Sequence, residues 1–227
     1  MKNSKTKLIM VAFVLMMAAC TKEPAMLNIS IEAATDRVDA GNQITFTING
    51  DYEFLTFYSG LKGYEWGNFP ASRCVNVDLP EGSNTFLALY NDTNGVVVSR
   101  FIATSYGNWG EEVITEIIEF EIYVNDNRTG ISSVRIRYPE SGSNKSAKGE
   151  ISNDEGIVRF EVGTAADLSN VEVLAITPVS SNAKVFYNEI ELTGSIKLDF
   201  ETGTPKFRIL AANGETTQDF TFEFIKK

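Results

Sequence analysis

The sequence predicts an all-β chain of two tandem sandwich domains, and three observations carry that expectation. Short β-branched and aromatic runs are separated throughout by Gly, Asn, Asp and Pro, the punctuation of strands joined by turns. Several runs alternate strictly: Phe220, Phe222 and Phe224 fall on one side of a strand, Asp219, Thr221 and Glu223 on the other, as in a sheet with one dry and one wet face. Beyond an N-terminal apolar segment the chain holds 208 residues, enough for two domains of about 100 residues each.

The elements follow in order. Leu27–Ile31 is the first predicted strand, and an Asp39-Ala40-Gly41-Asn42 turn leads into Ile44, Phe46 and Ile48 alternating with threonines. Strands are expected at Phe54–Tyr58 and Val75–Leu79. Thr85–Tyr90 and Val96–Ile102 read as a hairpin, with an Asn94-Gly95 step in the turn between them. Glu111–Glu121 has apolar residues at helix-like spacing, but its β-branched content and the alternation of Ile118, Phe120, Ile122 and Val124 make its second half a strand. In the second half of the chain, strands are expected at Ser133–Tyr138, Ile157–Val162, Val171–Thr177, Lys184–Tyr187, Ile196–Phe200, Phe207–Ala211 and Asp219–Ile225. The alternating aromatics are core positions. The expected division is 27–112 for the first sandwich and 116–227 for the second, joined near Glu111–Thr115.

The N-terminus says where such a chain belongs. Lys2, Lys5 and Lys7 precede an apolar run from Leu8 to Ala19, a charged and then apolar pattern too short to span a bilayer and expected to act as a removable export signal over residues 1–19. Leu15-Met16-Met17-Ala18-Ala19-Cys20 resembles the lipobox of bacterial lipoproteins. That resemblance implies acylation of Cys20, cleavage before it, a lipidated tether at 20–26, and an outer-membrane location facing the cell surface or the periplasm. The remaining chain carries 17 basic and 30 acidic residues, a formal charge of −13. This balance argues against nucleic acid as a partner and against the fold lying flat on an anionic leaflet. Membrane attachment then falls to the lipid on Cys20.

Cys74 is the only other cysteine, so no disulfide framework is expected, and it reads as a small strand residue. Histidine is absent from the chain, which removes Ser-His-Asp and Cys-His nucleophile activation and imidazole metal ligation. No cofactor and no metal is expected.

Gly41-Asn42-Gln43-Ile44-Thr45-Phe46 through Gly50, followed by Phe54–Gly60, resembles a PKD-like or immunoglobulin-like module found in outer-membrane lipoproteins of Gram-negative anaerobes, many of them associated with glycan utilisation. Pro80-Glu81-Gly82-Ser83-Asn84-Thr85-Phe86 through Gly95 is similar to a PKD-type segment, although the Trp-x-Phe-Gly-Asp-Gly turn of that family is missing. Ala212–Thr217 before Phe220-Thr221-Phe222 is similar to the closing hairpin of bacterial Ig-like repeats. The resemblance implies spacer, adhesive or carbohydrate-contacting modules and brings no catalytic residues with it.

The richest clusters outside the core are Tyr58–Phe69, with Tyr64 and Trp66, and Tyr106-Gly107-Asn108-Trp109-Gly110. Rings set among glycines suggest loops. Aromatic faces stack on sugars while neighbouring polar groups bond hydroxyls, so Tyr64, Trp66, Tyr106 and Trp109 are candidate ligand-binding residues; the competing reading has them pack under their own loops. Asp92-Thr93-Asn94-Gly95, Asn125-Asp126-Asn127 and Asn153-Asp154-Glu155 could offer oxygens to calcium but lack the full loop pattern and read as turns. The function expected is that of a non-catalytic accessory protein binding a polysaccharide or another extracellular ligand. The alternatives are a structural or adhesive subunit engaging an envelope protein and, more remotely, a carboxylate-dependent glycoside hydrolase.

Overall fold

The computed structural model describes residues 23–67, 72–107 and 110–227. The expected signal, Cys20 and Trp109 lie outside them. The first strands are β1 (Asn28–Ala33), β2 (Arg37–Asp39), β3 (Gln43–Asp51), β4 (Phe54–Tyr58), β5 (Val75–Asn76), β6 (Thr85–Leu89), β7 (Gly95–Gly107) and β8 (Glu112–Asn125). They are followed by β9 (Ile131–Glu140), β10 (Ser143–Lys148), β11 (Glu150–Ser152), β12 (Ile157–Val162), β13 (Val171–Pro178), β14 (Lys184–Tyr187), β15 (Ile190–Glu191), β16 (Ile196–Leu198), β17 (Lys206–Leu210) and β18 (Thr217–Lys226). A short 3-10 turn at Leu168–Asn170 starts from Asp167, whose side chain accepts the Ser169 N–H.

Two compact units divide the chain. The first comprises the described residues up to Asp36, Gln43–Leu89 and Val96–Ile122; the second comprises Arg37–Asn42, Tyr90–Gly95 and Tyr123–Lys227. The expected join at 111–115 is therefore corrected. That stretch opens β8, which runs unbroken to Asn125 because neither Gly nor Pro interrupts Glu112–Asn125 and its β-branched residues keep it extended.

Strands of the first unit form a sheet ordered β1-β3-β6 and most of a second ordered β2-β8-β7-β4-β5, whose edge strand β2 belongs with the second unit and pairs only with the last three residues of β8, Tyr123–Asn125. Phe46 on β3 meets Phe57, Phe101 and Phe120 of the other sheet at centroid distances of 5.8, 5.1 and 5.2 Å, and Phe86 on β6 meets Phe57 at 5.0 Å. These mostly edge-on ring contacts form a dry layer between two sheets. The second unit has sheets ordered β10-β9-β13-β16 and β11-β12-β18-β17-β14-β15. One buried cluster takes Val134, Ile136 and Val173 from the first of these and Val158, Phe160, Phe207 and Phe222 from the second.

The strand orders repeat. In each pair of sheets an initial strand (β1, β9) pairs antiparallel with a second (β3, β13), a short strand (β2, β12) runs parallel to the last strand (β8, β18), and the remaining strands occupy matching places. This is an immunoglobulin-like sandwich occurring twice. The final strand is as the alternation predicts, with Phe220 and Phe222 buried and Asp219 and Glu223 exposed.

One expected hairpin is overturned. β6 pairs with β3 and β7 with β4, so residues 90–94 cross from one sheet to the other. Fully buried Tyr90 starts this crossing; a five-residue connection with such an anchor lets the chain change sheets, which a two-residue turn does not. The closing hairpin is present: β17 and β18 pair from Leu210↔Thr217 onward, and Asn213 Oδ1 accepts the N–H groups of Glu215 and Thr216.

Candidate functional site

Alternation along β4 places Leu55 and Phe57 in the core and Phe54, Thr56 and Tyr58 on the outer face of its sheet. On the adjacent β7, Thr104 and Tyr106 share that outer face, Thr104 lying directly opposite Phe54. Phe54 and Tyr106 are 56% and 41% exposed, and their rings meet edge-on at 5.6 Å. Together the two rings make a contiguous exposed apolar patch, which is more informative than a single exposed side chain.

These rings stand in an open groove of about 630 Å3 whose walls include Tyr52, Glu53, Thr56, Asn76 and Asp78. The Glu53 carboxylate accepts the Tyr106 N–H at 2.9 Å and the Ser105 hydroxyl at 3.4 Å, which ties the end of β7 to the turn before β4. Burial, together with the nearby Asp78 carboxylate, raises the Tyr52 phenol above its ordinary value, so Tyr52 offers a neutral O–H. The groove thus combines two exposed rings with hydroxyl, amide and carboxylate edges, a set suited to a hydroxylated ligand without negative charge.

The structure separates the three described aromatic candidates, Tyr64, Trp66 and Tyr106. Tyr106 belongs to β7, so the expectation of a loop position is corrected. Trp66 is half-buried and packs edge-on against buried Tyr58 at 5.1 Å, in the connection between β4 and β5. Tyr64 is held in the same connection by its backbone: its N–H donates to Leu61 O at 2.7 Å and its carbonyl accepts the Gly60 N–H at 3.1 Å. Glu65 bonds the Gly63 N–H at 2.7 Å, a turn role rather than a free ligand group. Gly60 is required here, since its φ is +78° and a Cβ would lie 2.4 Å from Val98 O. Tyr64 and Trp66 do not line the groove, although Tyr58, on which Trp66 rests, follows Thr56 on the same outer face. Phe54 was missed because it begins a strand and reads as core; its position opposite the alternation of Leu55 and Phe57 is the signal that could have exposed it.

Cys74 is exposed and lies just before β5. Burial and a hydrogen bond with Cys74 raise the Tyr58 phenol.

The candidate calcium ligands have other partners. Asp126 is fully buried, and its carboxylate takes hydrogen bonds from Arg128 Nε at 2.8 Å, from Arg128 NH2 at 3.0 Å and from the Ser180 hydroxyl at 2.6 Å. Burial pushes this carboxyl up, but the Arg128 and Ser180 bonds outweigh it and hold the group below its ordinary range. Arg128 also reaches Asp92 at 3.0 Å, and the Asn94 side chain accepts the Asp126 N–H. Asn153 bonds both backbone groups of Ile131. Among the described residues no group of three metal-ligating side chains is present.

No protein-family model matches the chain, and no curated protein matches it. The solved structures similar to it include the following two. The crystal structure of murine CEACAM1b is 11% identical and covers 87% of this chain and all of its own, at a TM-score of 0.27. The I9–I11 tandem from titin is 8% identical with the same coverages, at a TM-score of 0.21. At such scores the immunoglobulin-like assignment rests on the strand order itself.

Proposed function

We propose that this chain is a non-catalytic, lipid-anchored envelope protein whose first sandwich binds a neutral glycan in the Phe54–Tyr106 groove. The carrying observation is the pair of exposed rings on the outer sheet face, set among hydroxyl and carboxylate groups. A sugar ring can lie against aromatic carbon while its hydroxyls bond Glu53, Asn76 and Asp78. Attachment through Cys20 leaves both sandwiches free to project from the membrane.

Affinity electrophoresis of the purified chain against neutral and acidic polysaccharides tests the proposal. Retention by at least one neutral glycan is expected, weakened in Phe54→Ala and Tyr106→Ala. No retention across a broad neutral panel, or undiminished retention by both variants, would overturn it.

A second reading is favoured by β6. This strand is at the edge of its sheet and exposes Leu87 and Leu89. Such an edge can accept a strand from a partner protein. A structural role predicts recovery in a larger assembly after mild crosslinking, abolished by Leu87→Lys.

A further inference from the structure

The outer face of the β10-β9-β13-β16 sheet collects positive charge that the acidic chain does not neutralise. Register pairs Lys148 with Arg135 and Arg135 with Ala175, so two cations stand directly side by side with an alanine completing the row. The next row runs Ser146, Arg137, Glu172, Lys197. Beyond Arg135 lies the pair Ser133 and Thr177. These strands therefore present four cations and one acid outward, and that acid, Glu172, is engaged by Arg137 at 3.3 Å and by the Ser195 hydroxyl at 2.9 Å. Among the described residues neither Arg135 nor Lys148 has an ion pair or a side-chain hydrogen bond. Like charges directly opposite on a sheet are unfavourable, and neither side chain is needed to cover apolar surface, since both are exposed.

Ser133, Arg135, Lys148, Ala175 and Thr177 line an open depression of about 350 Å3, within the range of small-ligand clefts. The small Ala175 keeps its floor low, the two cations stand on one side, and the Ser133 and Thr177 hydroxyls lie beside them. We infer that this depression binds an acidic sugar unit, a carboxylate or sulfate group carried on a hydroxylated chain. The cations meet the anionic oxygens in charge-assisted hydrogen bonds, and Ser133 and Thr177 serve neighbouring hydroxyls. A lipid surface fits less well: of the exposed large apolar residues only Val179, just past the end of β13, adjoins this face, too little for an apolar seat in a bilayer. The site goes beyond the neutral-glycan groove, since it lies on a different unit and selects the opposite ligand charge.

The test titrates the purified full chain with polygalacturonate, dextran sulfate and neutral dextran, and separately with vesicles of phosphatidylserine and phosphatidylcholine in equal parts. Binding to polygalacturonate or dextran sulfate but not to dextran is expected, falling as salt is raised; which of the two polyanions binds assigns carboxylate or sulfate. Arg135→Gln with Lys148→Gln should weaken it by about tenfold or more, while leaving the thermal midpoint unchanged or raised. Arg208→Gln, which removes a cation already paired with Asp219 and Glu189, should leave binding intact. Equal binding by the double variant, equal retention by neutral dextran, binding to vesicles alone, or no binding to either polyanion would each overturn the inference. Phe54→Ala should not alter polyanion binding, so failure here and failure of the neutral groove give different results.

Discussion

In the second unit β14 turns into β15 through Asn188 and Glu189 alone, whereas the matching connection of the first unit, between β4 and β5, takes residues 59–74. The reverse holds at the start of each sandwich. Only residues 34–36 separate β1 from β2, while between β9 and β12 the chain inserts the β10 and β11 strands. Each unit has thus lengthened a different connection of the same frame, and each lengthened piece bears on its candidate surface. The 59–74 segment packs Trp66 on Tyr58, next to the aromatic groove. The β10 insertion supplies Lys148 to the cationic face. A sandwich core constrains its strands tightly and its turns loosely, so surface chemistry diverges where the frame does not care.

The comparison breaks first where a unit loses an interaction it cannot replace. Arg128→Ala leaves buried Asp126 without its cation, and should cost about 3–5 kcal/mol in urea unfolding. The pH dependence provides a sharper check. The folded-state pKa of Asp126 lies below its ordinary value, so its stabilisation is full above that value and is lost as pH falls through the lowered one. In Arg128→Ala burial is no longer outweighed and the dependence reverses, with stability rising on acidification. An unchanged acid profile would count against this account.

Gly60→Ala attacks the lengthened connection of the first unit. The clash with Val98 O and the positive φ should together cost about 2–5 kcal/mol. By contrast Gly63, at φ +83° with open space around its Cβ position, should cost about 1–2 kcal/mol as alanine; thermal melts of the two variants separate close approach from conformation alone. Trp66→Ala should cost about 2 kcal/mol, the loss of a half-buried ring and its edge-on contact. The smallest effect belongs to the short turn of the second unit. Glu189 has φ +64°, so Glu189→Gly relieves about 1–2 kcal/mol of strain. It also removes an exposed ion pair with Arg208, which solvent screening leaves weak. A net gain below about 1 kcal/mol is expected, readable as a small rise in thermal midpoint.

Period-2 alternation made the fold legible, because burial on one face leaves a direct mark in strands such as β12 and β18. The polar strands escaped it. Ser143–Lys148 is exposed at nearly every position and carries no apolar signal; only the turn at Ser141 and Gly142, both with positive φ, places it beside β9. The false hairpin at 85–102 has a related cause, since local turn residues do not say which sheet receives the next strand. Of the aromatic candidates, Tyr106 was recognisable by type but its partner Phe54 was not. The cationic face was illegible because Arg135 and Lys148 are brought together by register, not by sequence spacing.

Residues 37–42 and 90–95 pack within the second unit although the chain makes them long before residue 123. Asp39 meets Asn125 across 86 positions, and Asn182 reaches back 90 positions to Asp92. During synthesis these two segments leave the ribosome without their partners, while most of the first unit is already available to fold. The second sandwich therefore closes only once the chain beyond residue 123 is made, on contacts of high sequence separation, the kind that slows folding. A fragment starting at residue 123 would lack the acceptor side chain that caps the Asp126 N–H and the carboxylate that shares Arg128, so the C-terminal half inherits part of its assembly instructions from the N-terminal half.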